Sequence, residues 1–420
     1  MTDTLTPPGR RRLVPRLLRE TTFRRYWSAQ TVSMFGDQIT LLAIPLLAVL
    51  TVGAGPAEMG YLTAAALVPN LVFSLIAGAW VDRFPHKRHI MIAADLGRAA
   101  LLLSVPLLAW ADLLTLPYLY VFAFAAGTLA MFFEVAHSSL FVSLVRRPDY
   151  VDANSLVNGS RAMSYVAGPS VGGVLVQWLT APVALLADVL SYLASALFLT
   201  RIKPVERPVE TREGLGLGAG LRFVVRSAVL RSLLLGTTTL NLFNYIFAAL
   251  FVLYVTTDLG VTPGTLGIII GAGSVGGLLG AVVTSRVARR FGIGPTLVAG
   301  FVVFPAPLIL VPLADGTSMP VVLTLLLISE FLSALGVMML DITAGSIQTA
   351  ATPDSMLALV QGAKRTVNYG IRPIGALIGG ALGTALGVLP ALWIATIGAV
   401  AGTLWVLFSP IATMRELPES

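Results

Sequence analysis

Twelve apolar runs, each of roughly 20 residues and so long enough to cross a bilayer as a helix, follow one another along the chain with short polar gaps between them. They fall near Tyr26–Leu50, Met59–Val81, His89–Ala111, Leu116–Val145, Asn154–Leu179, Pro182–Leu199, Leu230–Thr256, Thr265–Val287, Pro295–Leu313, Pro320–Thr349, Leu357–Leu386 and Pro390–Phe408. Of 420 residues, 56% are hydrophobic and only 12% charged, which is too apolar for a soluble fold of this length. The chain is expected to be an all-α integral membrane protein. Forty glycines suit closely approaching helices, because lipid gives apolar side chains no drive to associate and small residues let backbones touch. With no cysteine there is no disulfide framework, thiolate metal site or cysteine nucleophile.

The charges test the count of runs independently. With the N-terminus inside, the outer loops are Thr51–Glu58, Asp112–Thr115, Thr180–Ala181, Thr257–Gly264, Ala314–Met319 and Gly387–Leu389, and none of them holds a Lys or Arg. The basic residues of the loops lie on the other side: the arm before Tyr26, Arg83 to Arg88, Arg146 and Arg147, Arg201 to Arg226, Arg286 to Arg290, and Arg415. Positive loops stay in the cytoplasm, so both termini are expected there. The net charge of +7 therefore sets topology and does not point to nucleic acid. The first run follows a Pro- and Arg-rich arm without a small-residue cleavage site, which reads as an uncleaved first span.

The longest polar interval, Arg201 to Arg226, mixes charges, prolines and a Gly-Leu-Gly-Leu-Gly passage, and reads as a linker between two halves. The expected organisation is an arm (1–25), a six-helix bundle (26–200), a linker (201–229), a second six-helix bundle (230–410) and a tail (411–420). Internal similarity supports two repeats. A shift of 207 residues carries Asp82-Arg83-Phe84-Pro85 to Arg289-Arg290-Phe291-Gly292, Asp37 to Asn244, Glu134 to Asp341 and Ser139 to Ser346, and a shift of 204 carries Arg161 to Arg365 and Pro169 to Pro373.

Between the second and third runs the chain reads GAWVDRFPHKR, Gly78 to Arg88. This resembles the loop between helices 2 and 3 of the major facilitator superfamily, with Pro85 in place of the second glycine of that pattern and His86 in place of its first basic residue. Gly78, Asp82, Arg83, Lys87 and Arg88 are the matching gating residues. The resemblance implies a fold of twelve transmembrane helices in two six-helix repeats around a central site. It also sets Asp82 beside the start of the eleventh run, whose exposed amides favour a negative charge. In the fifth run, AGPSVGG (Ala167 to Gly173) resembles the motif of superfamily members that export by antiport, carried here by Gly168, Pro169, Gly172 and Gly173. RPIGALIGG (Arg372 to Gly380), FGDQIT (Phe35 to Thr40) and the Asp95 to Arg98 passage are similar to the bacterial drug, macrolide and siderophore exporter group. Glycine and proline also have an immediate physical role there, shaping a kink and a close crossing.

Chemistry in such a chain must come from polar groups held in the bilayer, where each costs several kcal/mol unless paired or hydrated. At about 1.5 Å per residue, Asp37 and Glu134 come out roughly 16 Å from the inner ends of their helices, and Arg161, Asp341 and Arg365 roughly 10 to 12 Å. The resemblance adds that the first, fourth, seventh and tenth helices line the cavity. Glu134, Asp37 and Asp341 are accordingly the proton-coupling candidates, with Glu134 first, and Asp37, Asn244, Arg161, Arg365 and His137 are the substrate or cavity candidates. Arg161 and Arg365 have an alternative as structural counter-ions to Glu134 and Asp341. Glu134 and His137 stand at the i, i+3 spacing that can chelate a metal, but no third ligand is near, so a proton relay or a packed histidine is expected and neither metal nor cofactor. Asp95 and Arg98 read as a local ion pair reaching the interface, and Asp188 as a group hydrating the outer end of its helix.

No Walker loop, nucleophile motif or soluble domain is present, so an enzyme is not expected. The expectation is a monomeric secondary transporter of the bacterial inner membrane that exchanges protons for an amphipathic organic compound such as an antibiotic, secondary metabolite or siderophore. An importer of a small organic solute and a transport-inactive receptor or scaffold are the alternatives.

Overall fold

A computed structural model describes residues 15–84, 86–202 and 217–417, and apart from turns and short 3-10 segments these are α-helical. The side chains of 74–80, 82, 83 and 217, and Pro85 as a whole, lie outside the description. Of the gating residues, Gly78, Asp82 and Arg83 are thus followed only as backbone within a helix.

The first half contains α1 (Thr21–Leu50), α2 (Pro56–Arg83), α3 (Lys87–Trp110), α4 (Leu116–Leu144), α5 (Tyr150–Leu179) and α6 (Ala181–Thr200). The rest contains α7 (Leu217–Arg226), α8 (Ala228–Thr257), α9 (Pro263–Phe291), α10 (Ile293–Val303), α11 (Leu310–Leu313), α12 (Met319–Ala350), α13 (Leu357–Leu386), α14 (Val388–Ala401) and α15 (Leu404–Leu407). Local chemistry explains several boundaries. Pro56 opens α2, where the Glu58 carboxylate accepts the Gly55 N–H at 3.1 Å, a capping-box contact. Gly292 and Gly387 turn the chain with φ of 96° and 91°, a region open to glycine at little cost.

Four features differ from the sequence expectation. The first helix begins five residues early, at Thr21. The linker ends in a helix, α7, which packs on α13 and α8. The ninth run is broken into α10, a 3-10 turn and α11, because Pro305, Pro307 and Pro312 remove N–H donors that a continuous helix needs. The twelfth run is broken after Ala401, where Gly402 and Thr403 separate α14 from α15.

The packing repeats between the halves. In the first, α1 lies against α6 and α5, α4 against α2 and α3, and α3 against α6; in the second, α8 lies against α14 and α13, α12 against α9 and α10, and α14 against the 3-10 turn after α10. The halves meet along two seams, α5 on α9 and α2 on α13. Among the described residues nine helices are long and apolar enough to cross a membrane. α5 and α13 are equally long, at 30 residues each, but carry Asn154 and Arg161, and Lys364, Arg365 and Arg372. These are helices of the seams and cavity, where polar side chains have a polar surface to meet.

At one end of the bundle the turns hold no Lys or Arg; the other end carries the basic gaps. The seams are tightest toward the end without basic turns. A Cβ on Gly267 of α9 would stand 2.2 Å from the Pro169 carbonyl oxygen and 2.9 Å from Gly173 Cα, and one on Gly60 of α2 would stand 2.8 Å from both the Ala376 oxygen and Gly380 Cα. At such distances only glycine allows the backbones to approach. The close approaches of α5 and α9 fall between 165–177 and 263–274. α9 then turns its small residues to α12, with Gly276 and Gly280 on Phe331 and Leu335.

Candidate functional site

Between the halves lies a cavity of about 1580 Å³. Its apolar part is walled by groups such as Ile44, Leu62, Phe122, Phe247 and Phe251, and its wall continues to Gln348 near the end of α12 and to Ala358 and Gln361 in the first turns of α13. It therefore reaches the basic end, while the glycine seams draw the other end together. Asp37, Asn244, Asp341 and Arg365 all line it, as does Pro169. The four helices expected around the path, now α1, α4, α8 and α12, each contribute to the wall.

On the first half's side a polar network is built across three helices. Arg98 of α3 holds Asp95 of its own helix at 2.6 Å and Asp37 of α1 at 3.4 Å. Tyr192 of α6 donates to Asp37 at 2.6 Å, and Ser195 donates to the second Asp95 oxygen at 2.7 Å. The Arg98 guanidinium lies 4.3 Å from the Tyr192 ring centroid and 4.5 Å from that of Phe133, a cation–π setting that offsets lost hydration. Asp188, also on α6, accepts from Ser191 at 2.6 Å and from Thr40. Asp95 and Asp188 are 0% exposed and Arg98 5%, whereas 42% of the Asp37 side chain is accessible. Only the Asp37 carboxylate of this network faces the cavity as an open acid.

Two sequence readings are corrected here. Asp95 and Arg98 do not reach an interface, because Ser195 and Asp37 from neighbouring helices complete their coordination in the interior. Asp188 does not hydrate a helix end; it is sealed against α1, where a Cβ on Gly36 would lie 2.0 Å from its Oδ1.

The second half's side is organised differently. Arg372 donates from Nε to Asn241 at 3.0 Å and lies over the rings of Tyr369 (4.3 Å) and Tyr245 (5.3 Å). Arg365 lies over Tyr369 at 5.3 Å. Asn368 is clamped to α8, accepting from Thr238 at 3.1 Å and donating to Thr237 at 3.3 Å. Lys364 and Arg372 are near enough to act electrostatically on Asp341. Yet among the described residues neither they nor Arg365 has a carboxylate within 4.0 Å. The reading of Arg365 as a direct counter-ion to Asp341 is thus not what the structure contains. Glu330 also lines the cavity, facing α9 at Gly273.

Glu134, Arg161 and His137 stand outside the cavity wall. His137 is buried, its Nδ1 lies 2.8 Å from the Tyr26 hydroxyl, and the two rings stack at 5.5 Å; it is a packed histidine. Glu134 is exposed one turn beyond Ala130 on the stripe of α4 that carries Gly127 and Ala130 into the cavity. Its charge and that of Arg161 both reach the Tyr26–His137 pair, but the two form no ion pair with each other. Lys87 donates to the Val81 carbonyl and Arg88 to that of Ile202, so both tie the turn after α2 to backbone. The glycine motif of α5 is divided between two neighbours. Gly168 and Gly172 face Gln38 and Ile39 of α1, and Gly173 faces Pro263 and Gly267 of α9.

A family model described as transmembrane secretion effector, within the major facilitator superfamily, matches residues 14–419. The chain belongs to this family. Among similar proteins, the multidrug efflux pump Tap of Mycolicibacterium fortuitum is 29% identical over 369 residues, covering 84% of this chain and 87% of that one. Tap of Mycobacterium tuberculosis is 31% identical over 290 residues, covering 62% and 65%. Among solved structures, a bacterial homologue of the iron transporter ferroportin in its inward-facing state superposes with a TM-score of 0.74 at 14% identity, over 94% of this chain and 99% of that one. The nucleoside transporter NupG gives 0.72, over 92% and 97%, at 14% identity; at such identity the likeness shows the fold. The chain is a multi-pass bacterial membrane protein and a secondary transporter of a small organic molecule, related to transporters rather than to enzymes.

Proposed function

We propose that the protein is a proton-coupled exporter, an antiporter of the inner membrane acting as a monomer, that removes an amphipathic organic compound such as an antibiotic, secondary metabolite or siderophore. The observation that carries this reading is the cavity itself: about 1580 Å³ between two matching halves, apolar toward one end and bearing Asp37 and Asp341 in its wall. That volume exceeds the roughly 300–1,000 Å³ of an ordinary ligand pocket and so has room for a drug-sized molecule with water beside it, and the relatives named as multidrug efflux pumps favour the outward direction. Twelve spans in two six-helix repeats follow when α2, α5 and α13 are counted with the nine helices apolar enough alone. The basic turns then make the end reached by the cavity cytoplasmic, with both termini on that side.

Coupling is assigned to the acids Asp37, Glu134 and Asp341, and the geometry moves first choice from Glu134 to Asp37. A proton added to Asp37 removes the negative charge facing Arg98 and weakens the oxygen that accepts from Tyr192 and Arg98, while Arg98 keeps Asp95 at 2.6 Å, so the change is felt by α1, α3 and α6 without stranding a cation. Asn244 and Arg365 remain the substrate or cavity candidates on the wall, with Arg161 beside it, whereas His137 is packed against Tyr26. Asp82 and Arg83, at the end of α2, are assigned to gating.

The test is efflux of fluorescent amphipathic compounds from proteoliposomes with and without an imposed proton gradient. Wild-type efflux should rise with the gradient. Asp37→Asn should keep downhill exchange and lose the response to pH, while Glu134→Gln and Asp341→Asn keep it. Wild-type efflux indifferent to the gradient would sink proton coupling, and gradient-driven efflux by Asp37→Asn would return the role to Glu134 or Asp341.

A further inference from the structure

Three cations of α13, Lys364, Arg365 and Arg372, line the cavity, and they are held in a way that leaves their charge unused. Positions 365 and 372 fall on one stripe of the helix and 364 about a quarter-turn round from it. Both guanidiniums lie over one ring, that of Tyr369, at 5.3 and 4.3 Å. Arg372 is held by neutral groups, its Nε donating to Asn241 and its guanidinium meeting the Tyr245 side chain, and among the described residues none of the three cations has a carboxylate within 4.0 Å. The acids facing them are few. Asp341 acts on Lys364 and Arg372 from α12 at longer range, and Glu330 lies eleven residues further along α12, about 16 Å away. Across the cavity Asp37 is engaged by Arg98 and Tyr192.

Like charges set close together in a membrane interior repel, and each costs several kcal/mol without a partner. The other half of the same protein shows the usual remedy, since Arg98 is bracketed by two carboxylates. A wall that keeps three cations without that remedy is complementary to an anion brought from outside.

Resting on the exporter reading for what the cavity is for, we infer that the transported compound is an organic anion: a carboxylate or sulfonate seated between Lys364 and Arg372, on an apolar body lodged against Phe247 and Phe251. The aromatic stack fixes the guanidiniums, so two N–H donors can meet two oxygens at once, which Arg geometry favours.

The experiment is a binding measurement by calorimetry on the full chain in phosphatidylcholine nanodiscs, with empty nanodiscs as the blank. The probes share one ring system: naphthalenesulfonate, naphthylmethylammonium and naphthalenemethanol. A hydrogen bond to a charged group is worth about 1.5–3 kcal/mol, so the sulfonate should bind about tenfold or more tighter than the alcohol, and the ammonium more weakly than either. Lys364→Gln and Arg372→Gln should each bring the sulfonate toward the alcohol, and Arg372→Lys should keep part of the preference, which separates loss of charge from loss of fold. Equal or tighter binding of the ammonium, a sulfonate preference unmoved in both Gln variants, or no saturable binding of the sulfonate would overturn the inference. No gradient or turnover is involved, so an anion site in a protein that fails the proteoliposome assay refutes export alone, and gradient-driven efflux without an anion preference refutes this inference alone.

Discussion

Gly267→Ala should shift the protein away from the conformation described here. The added Cβ would meet the Pro169 oxygen at 2.2 Å and Gly173 Cα at 2.9 Å. Ordinary contact begins near 3.5 Å, so α5 and α9 must part there by roughly 1 Å. Both obstructing atoms are backbone within helices, and no side-chain rotation relieves them. Overpacking of this kind costs about 1–3 kcal/mol. If the α5–α9 contact belongs to this state and opens in the alternate one, the whole of that cost enters the equilibrium between them, a change of about 5- to 150-fold. The gain in helix propensity from Gly to Ala applies to both states and cancels. The natural absence of cysteine makes the assay simple: Thr63→Cys, on the cavity wall, is labelled with an impermeant maleimide added from the outer side. Gly267→Ala should raise its labelling rate severalfold and lower that of Gln361→Cys from the inner side. Gly159→Ala, also on α5 but with nothing within 4 Å of the new Cβ, should change neither. Unchanged labelling, whether or not the melting temperature falls, would mean that the seam persists through the cycle and would refute the reasoning.

Two further expectations concern stability. Asp95→Ala leaves the buried Arg98 guanidinium with only the longer Asp37 contact at 3.4 Å and should cost up to about 3 kcal/mol, read as a fall in thermal stability in detergent that Arg98→Met in the same chain largely recovers. Gly220→Ala sets a Cβ 2.3 Å from the Leu359 oxygen, so α7 should lift from α13 and the adjoining linker be cut faster by trypsin, with the melting temperature nearly unchanged; an unaltered cleavage rate would show that α7 tolerates the shift.

The periodicity and charge asymmetry of the chain made its helices and the repetition of its halves legible. Asp37, Asn244 and Asp341, found by one numerical shift, do come to a common cavity. The limits were tertiary. Asp188, Ser191, Tyr192 and Ser195 are spaced as one stripe of α6 and signal a polar face, but nothing in the sequence says that this face closes on Asp37, Thr40 and Asp95. For Glu134 the sequence gives depth along the helix, and depth alone does not separate the cavity wall from the position one turn beyond it. The α5 motif was read as one unit, yet its glycines serve two different helices. The helix breaks in the ninth run follow from its prolines, although the run is apolar throughout and its hydropathy alone gives no sign of them.

The two halves treat charge in opposite ways, and the magnitudes indicate which parts move. In the first half Arg98 is shared by two acids and two aromatic rings on α1, α3, α4 and α6. Separating it from them inside the bilayer would cost about 3–5 kcal/mol. The glycine seams join α5 to α9 and α2 to α13 by contact of small residues, and couplings that drive conformational change are typically about 1–3 kcal/mol. The seams therefore yield before the network does. On the exporter reading the first half is expected to turn as a unit whose interior stays paired, with Asp37 the accessible acid of its Arg98 network. The second half, with cations left unpaired over Tyr369, presents the charge that a ligand completes. On the proposed reading, gating falls to the seams between the halves and binding to the α13 wall.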